Sequence, residues 1–516
     1  MIKDLTGAGA VSVDADVLIV GAGTAGLVMA VELVRRGLKV VCLESGGRQQ
    51  KEDEHPLNEV VHLNSVYEGA AHGRFRCLGG TSTRWGGALI PFLSSDLEEQ
   101  HWPIKAQEVE AYRGAVESFF GLSHGSYTLD DVLGEGAGEA DHVARLAKWP
   151  PFAKRNVANL LSNEIKTEKQ VEIWLNATAT HFEVEQGRLE KVRADAPDGS
   201  QISVSAREVI FAAGAIETTR LMLLLDQQNN GEICAADDQL GRHFHDHLSV
   251  VVARLEPSDR KALNRLIGFR FEAGGVMRNL RFELATNSPA RATVRPCFAH
   301  IAIEEGVGGG FDVLRDLFRF IQQRRIPKLS TLMQLVLSSP WLTRAVWWRY
   351  VENRLLYPTR AGLMVHMVIE QEPVSENQIA LSASRKDIFG GPLAEMNWSV
   401  SERDAQNLTN AVTAFEKTWA ASDLSKLAKL VRRPEGEAEA ELSKGGGIYH
   451  PGGSTRMARH PSEGVVNKDL EVFRLSNLRL VATSVLPTGG GANPTMYLMM
   501  LAFRCVDQLA AKLKGA

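Results

Sequence analysis

A glycine-rich turn between an apolar run and a helical stretch limits this chain more than any other feature. It lies in Ala15 to Glu44, ADVLIVGAGTAGLVMAVELVRRGLKVVCLE. Val17–Val20 is a short apolar run suited to a strand buried on both faces. Gly21-Ala22-Gly23-Thr24-Ala25-Gly26 follows at once and fits G-x-G-x-x-G. Leu27–Arg36 has helical character and stops at Gly37; Leu38–Leu43 is a second apolar run, closed by Glu44. Each part has a physical job. Gly21 permits the tight turn, Gly23 lets backbone approach a pyrophosphate, and Gly26 lets helix and strand pack closely. The helix N-terminus offers unpaired N–H groups and a positive dipole end to phosphates, and Thr24 and Ala25 in the turn before it are expected to meet the cofactor. Glu44, eighteen residues after Gly26 and next to Ser45, stands where an acid holds ribose hydroxyls. The stretch therefore predicts a dinucleotide site, and by itself admits NAD or FAD.

The chain has 516 residues, enough for two to four domains. With 44% hydrophobic and 23% charged residues it has an ordinary globular composition. A net charge of −4 argues against a general nucleic-acid binder. The five cysteines are scattered, with no C-x-x-C, which points to a reducing compartment and no structural zinc. The first sixteen residues lack a basic start and a cleavable apolar core, so a cytoplasmic location is expected. Residues 17–34 are apolar enough to imitate a membrane span, but their glycines and Glu32 fit a nucleotide turn better.

Further along, residues 45–75 read as polar and irregular. Residues 79–87, GGTSTRWGG, form a loop where backbone meets something closely. Residues 106–120 predict a helix. Strands are predicted at Val171–Leu175, Thr180–Val184, Ile202–Val204 and Val209–Ala212, with Asp198-Gly199 as a hairpin turn. Ala213-Gly214 and the following residues repeat the strand–glycine–helix pattern. Residues 265–305 predict strands, 311–356 helices, 363–383 and 393–400 strands, and 402–421 and 436–443 helices. A strand at Leu478–Ala482, a turn at Gly489–Gly491 and a helix from Met496 to Leu513 close the chain. Nucleotide-type signals at both ends imply a discontinuous cofactor domain with a substrate domain inserted.

These stretches together resemble the glucose–methanol–choline (GMC) flavoprotein oxidoreductases over nearly the whole chain. The likeness rests on GAGTAGL at 21–27 with Glu44, GGTSTRWGG at 79–87, VIFAAGAIETTRLML at 209–223, and YHPGGSTRM at 449–457 with NLRLVATSVLPTGGGANPT at 477–495. The resemblance implies an α/β fold: a discontinuous FAD-binding Rossmann-like domain with an inserted sheet-and-helix substrate domain. The expected parts are FAD-domain segments at 12–100, 166–255 and 445–516, a helical connection at 101–165, and the substrate domain at 256–444. It also implies FAD contacts at Gly79, Gly80, Thr81, Arg84, Trp85, Gly86 and Gly87, at Ala179, at Ala213 and Gly214, at Ser484, and at Asn493, Pro494 and Thr495. Arg84 stands where some relatives carry a histidine bonded to FAD, so noncovalent FAD is expected. Ala482 departs from the acid that many relatives place there.

Oxidising an alcohol needs a base for the hydroxyl proton and a cofactor for the hydride. A neutral histidine suits the base. His450 aligns with the family's active-site histidine, and Asn493 with a histidine or asparagine that holds the substrate oxygen. The helix after Thr495 can hold negative charge at the flavin. The expected substrate is a small-molecule alcohol, with a sugar or glycoside favoured by analogy alone. A sterol or aliphatic alcohol, or a lyase with structural FAD, are the alternatives. Oxygen, a quinone and a cytochrome all stay open as electron acceptor.

Three features compete with this reading. Gly121-Leu-Ser-His-Gly125 fits the G-x-S-x-G of a hydrolase elbow, but that elbow needs a strand before it. His243-Phe-His-Asp-His247 has the look of a metal cluster, yet is expected to be a hydrogen-bonded turn, with no metal. Residues 315–360 hold nine Lys or Arg against two acids, with Trp341, Trp347, Trp348 and Tyr350. They are expected to pack as a helical cap, with a membrane-surface or partner-docking face as the alternative.

Overall fold

Val17–Val20 is the inner end of a longer strand, Ala10–Val20, paired in parallel with Val40–Leu43 on one side and Gln201–Phe211 on the other. Its last four residues are buried, as an apolar run covered on both faces should be. Its outer half alternates between exposed and half-buried positions. These relationships are those of a computed structural model, which describes residues 1–50, 54–97, 101–129, 132–134, 140–234, 239–304, 333, 339–358 and 361–515.

The first sheet has eight strands. Its order is Ile2–Asp4, Val171–Leu175, Val40–Leu43, Ala10–Val20, Gln201–Phe211, Arg188–Asp195 and Thr178–Glu185, and Leu478–Leu480 joins Gln201–Phe211 in parallel. The N-terminal, middle and C-terminal parts of the chain thus share one sheet. The helices Thr24–Arg35 and Thr495–Gly515 pack against each other beside it, with Leu27, Val31 and Val34 of the first and Phe503, Val506 and Leu509 of the second buried in one core. The strand Arg188–Asp195 has no counterpart in the sequence reading, and Ile202–Val204 and Val209–Ala212 are one strand rather than two. The helix expected over 106–120 is two pieces, Ala106–Glu110 and Arg113–Phe120.

The second sheet runs in the order Arg270–Phe271, Met277–Leu284, Cys297–Glu304, Gly362–Glu370, His247–Pro257 and Ala428–Arg432. His142–Trp149 pairs antiparallel with Met277–Leu284 along its whole length. The stretch expected as a helical connection therefore gives a strand to the second sheet. One strand of 166–255, His247–Pro257, lies in this sheet too. The helix Glu402–Ala421 covers one face. It starts at a capping box in which Ser401 and Asp404 bond each other's backbone N–H. Leu408, Ala411, Val412, Phe415 and Trp419 recur at helical spacing on its buried side, and Phe415 meets Phe282 at 5.5 Å. The other face of the sheet looks onto a cavity shared with the glycine turn. A third, three-stranded sheet joins Gln378–Lys386, Pro392–Asn397 and Val60–His62.

Of the helices expected over 311–356, Phe311, Leu314, Phe318 and Ile321 lie outside the described residues. Ser339–Trp347 is an α-helix that runs into a π-helical turn, Trp348–Glu352. Trp348 packs inward, whereas Trp347 and Tyr350 are exposed, so the expectation of packed aromatics holds for Trp348 and not for those two. No helix among the described residues is long and apolar enough to cross a membrane.

Candidate active site

The three glycines of the turn divide their work in space. A Cβ on Gly21, whose φ is +106°, would lie 2.6 Å from the Ala212 carbonyl oxygen, and one on Gly26 would overlap the carbonyl oxygen of Gly21. These two let the turn, the helix and the neighbouring strand end approach. A Cβ on Gly23 meets nothing nearer than the Ala212 oxygen at 4.0 Å, so the backbone there faces open space. Gly80 closes on the same point: its Cβ would lie 2.8 Å from the Gly23 Cα. The second glycine loop therefore lies directly on the first. Gly214, at φ +79°, has nothing within 4 Å of a Cβ and opens the helix Ala215–Gln228.

These backbones border a cavity of about 980 Å³. That is at the upper end of small-molecule sites, about 300–1,000 Å³, and leaves room for an extended ligand. Gly21, Gly23, Thr24, Ala25, Glu44 and Ser45 line it. So do Gly80, Thr81, Arg84, Trp85, Gly86, Gly87, Ala213 and Gly214, and so do His450, Asn493 and Thr495. Five expected contacts do not. Gly26 is consumed by the helix packing just described. Gly79 donates its N–H to Ala22 and abuts Asn156. Ala179 is buried within a strand of the first sheet, paired with Ala194. Ser484 is buried and accepts a hydrogen bond from Thr455 at 2.7 Å. Pro494 is buried just ahead of the helix Thr495–Gly515.

At the position expected to hold the ribose, the two oxygens of Glu44 accept from Ala22 N and Gly46 N, each at 2.9 Å. Burial raises this carboxyl, and the two N–H groups and the Arg76 charge oppose the rise. Arg76 donates to Ser45 Oγ at 3.0 Å and pairs with Glu217 at 2.6 Å. Burial would raise Glu217 as well, but Arg76, Arg220 and Arg74 bring it down to about 2.

His450 and Asn493 come together at the other group of lining residues. Asn493 Nδ2 lies 3.2 Å from His450 Nε2, while His450 Nδ1 and Asn493 Oδ1 are buried without a hydrogen-bond partner. Such orphaned atoms are costly unless a ligand answers them. Burial, then the neighbouring His247 and Arg281, hold the His450 pKa well below its ordinary value, so the imidazole is neutral. Its backbone is fixed by Asp246: Oδ1 accepts from His450 N at 2.7 Å, and Oδ2 accepts from Tyr449 N at 3.0 Å. Tyr449 sits at φ +66°, a strained geometry for a side-chain-bearing residue that this clasp maintains. His247 packs edge-on against the His450 ring at 5.3 Å and bonds the Gly490 carbonyl at 2.7 Å. Glu370 and Asp96 accept the N–H groups of Gly490 and Gly491, in the turn that leads to Asn493. Buried groups thus hold the backbone of His450 and of the turn that leads to Asn493.

The C-terminal part, residues 373–502, matches a family model described as GMC oxidoreductase, and residues 15–251 match one described as pyridine nucleotide-disulphide oxidoreductase. The chain is 23% identical to 2-methyl-1,2-propanediol dehydrogenase of Mycolicibacterium austroafricanum, over 96% of this chain and 95% of that protein. It is 20% identical to the fructose dehydrogenase large subunit of Gluconobacter japonicus, over 98% and 99% of the two chains. Its fold is similar to that of pyridoxine 4-oxidase from Mesorbium loti, with a TM-score of 0.61 at 14% identity, covering 96% and 98%.

This chain is a GMC flavoprotein oxidoreductase. The family binds FAD and oxidises CH–OH groups to carbonyls. The open backbone at Gly23 and Gly214, the Glu44 carboxylate and the orphaned atoms beside His450 fit such a cofactor and its substrate.

Local geometry decides how the competing motifs are read. The helix Arg113–Phe120, not a strand, leads into Gly121–Gly125, and Ser123 Oγ accepts from Arg278 at 2.9 Å, so no hydrolase elbow forms. Asp246, His247 and His450 bring ligand-type atoms within 4.8 Å of one another. Yet Asp246 already accepts four hydrogen bonds, from Tyr67 Oη, Tyr449 N, His247 N and His450 N. An ionised carboxylate has about four such sites, so no lone pair is left for a cation. The sequence reading missed Arg76 and Glu217 in the GMC cofactor region, and Asn279, Arg281 and His300 on the opposite wall. No local signal marks them: Arg76 falls between the irregular stretch 45–75 and the glycine loop at 79–87, Glu217 lies in a helix, and the other three lie within ordinary strands.

Proposed function

We propose that this enzyme oxidises an alcohol with His450 as base and Asn493 as the donor that fixes the substrate oxygen. The carrying observation is the 3.2 Å approach of these two side chains in the cavity that the glycine turn also lines. A hydroxyl placed between them donates to His450 Nε2 and accepts from Asn493 Nδ2, replacing their mutual contact. Bound FAD supplies the hydride acceptor. The N-terminus of the helix Thr495–Gly515, which borders the cavity at Thr495, directs its positive dipole end inward. The FAD is noncovalent on this reading, since residues 79–88 contain neither histidine nor cysteine.

The wall chemistry supports a non-sugar alcohol over the sugar or glycoside favoured by family analogy. Phe269, Phe298, Ile301, Ile303, Leu355 and Val368 line the cavity. Asn279, Arg281 and His300 are polar side chains set into this wall, and a sugar's remaining hydroxyls would face the apolar ones without partners. Anaerobic addition of aliphatic and aromatic alcohols, sugars and sterols, read as loss of flavin absorbance, tests the proposal. Bleaching by an apolar alcohol is expected. A protein that converts substrate with its flavin unbleached would be a lyase.

A further inference from the structure

Arg281 stands out on the wall opposite the glycine turn. It lies in the strand Met277–Leu284, lines the cavity and is only 4% exposed. Its Nε and Nη1 are buried without a hydrogen-bond partner. Its guanidinium carbon rests 4.3 Å from the centre of the Phe298 ring. The carboxylate that acts on it electrostatically, Glu283, is already paired with Arg145, so one acid serves two buried guanidinium groups. Burial presses the Arg281 pKa down to about 10, which still leaves the group charged at neutral pH.

An uncompensated buried cation is costly. Its neighbours do not relieve it. His300 is its partner across the sheet, stacked flat on His366 at 5.1 Å, and burial keeps that ring neutral, near a pKa of about 3. Asn279 lies two residues before it on the same side of the strand and also lines the cavity. Arg281 is close enough to depress both His450 and His247 electrostatically, so its charge faces the reacting region.

We propose that the substrate alcohol carries a carboxylate, held by Arg281 with Asn279 and His300 beside it, while its apolar body lies on the surrounding wall. This rests on the alcohol-oxidation reading above. A carboxylate would fill the unused guanidinium donors and neutralise the excess charge.

The test compares matched pairs in the holoenzyme: benzyl alcohol against 4-(hydroxymethyl)benzoate, and n-alkanols against ω-hydroxy acids of equal length. The rate constant for anaerobic flavin reduction divided by the apparent Kd is expected to favour the acid by about 10- to 100-fold, the size of a charged hydrogen bond. In Arg281→Met that acid-to-alcohol ratio should fall at least about tenfold, and Arg281→Lys should restore part of it. Binding of unreactive benzoate, measured by calorimetry, should weaken in parallel. Equal ratios for wild type and Arg281→Met, or benzoate binding that survives the substitution, would overturn the proposal. An equal loss for acid and alcohol would also overturn it, because Arg281 would then act through His450. Arg281-dependent benzoate binding without bleaching by any alcohol would support the anion site and count against the oxidation reading instead.

Discussion

Asn493 Nδ2 lies 3.2 Å from His450 Nε2, although 43 residues separate them. Neither segment reaches this position alone. Asp246 holds the backbone of one, and Glu370 and Asp96 hold the turn before the other. Truncation of Asn493 should therefore remove a donor and leave the histidine in place. Asn493→Ala is expected to slow anaerobic flavin reduction about 100-fold, with the FAD content of the purified protein unchanged. Stopped-flow absorbance at saturating alcohol checks this.

Asp246 should act on the reaction through His450. An asparagine there turns one acceptor atom into a donor facing N–H groups, which leaves at least one donor unmet at about 1–3 kcal/mol. Asp246→Asn is thus expected to lower thermal stability and to slow flavin reduction by about tenfold or more.

The pH profile separates the two groups. Burial raises the Asp246 pKa to about 7, opposed by Tyr67 and the surrounding N–H donors. As pH falls through that value, the carboxylate gains a proton and its grip on His450 loosens. The reduction rate should fall along a limb near pH 7. His450 itself, held well below its ordinary value, stays neutral there. In Asp246→Asn the limb near pH 7 should vanish and leave only one well below pH 6.5. A limb near 7 that persists in the variant would assign it to another group.

Gly26→Ala and Gly80→Ala test the stacked glycine loops. Each added Cβ meets backbone rather than a flexible side-chain tip. Overpacking of this kind costs about 3 kcal/mol or more where backbone cannot move. Both variants are expected to purify with less flavin, read as a lower visible-to-ultraviolet absorbance ratio. Full FAD occupancy in Gly80→Ala would contradict the close approach to Gly23.

Features with local causes were legible in the sequence. Gly21, Gly23 and Gly26 act within one turn, so their spacing announces it. Ser401 and Asp404 cap a helix whose apolar spacing runs through to Trp419. Elsewhere the causes are distant. Arg188–Asp195 buries only Leu189, Val192 and Ala194, and its charged residues hide a strand that its neighbours create. Asp259 caps the helix Arg260–Ile267 at Ala262 N, and that helix runs into the start of the stretch 265–305, whose apolar residues read as strand. Arg281 is an ordinary strand residue until His300 and Phe298 are set beside it. Asp246 reads as part of a turn, and its hold on His450 spans 204 residues.

Noncovalent flavin has a direct check. Acid precipitation is expected to leave the yellow colour in the supernatant, since Arg84 offers no imidazole for a bond. Flavin retained in the washed pellet would contradict this.

The most direct test of the account is the anaerobic flavin-reduction rate of His450→Ala, loaded with FAD and mixed with an alcohol that bleaches the wild type. A neutral general base contributes about 100- to 10,000-fold, and a loss in that range is expected, with flavin binding intact. Reduction at the wild-type rate would contradict the assignment of His450 as the base.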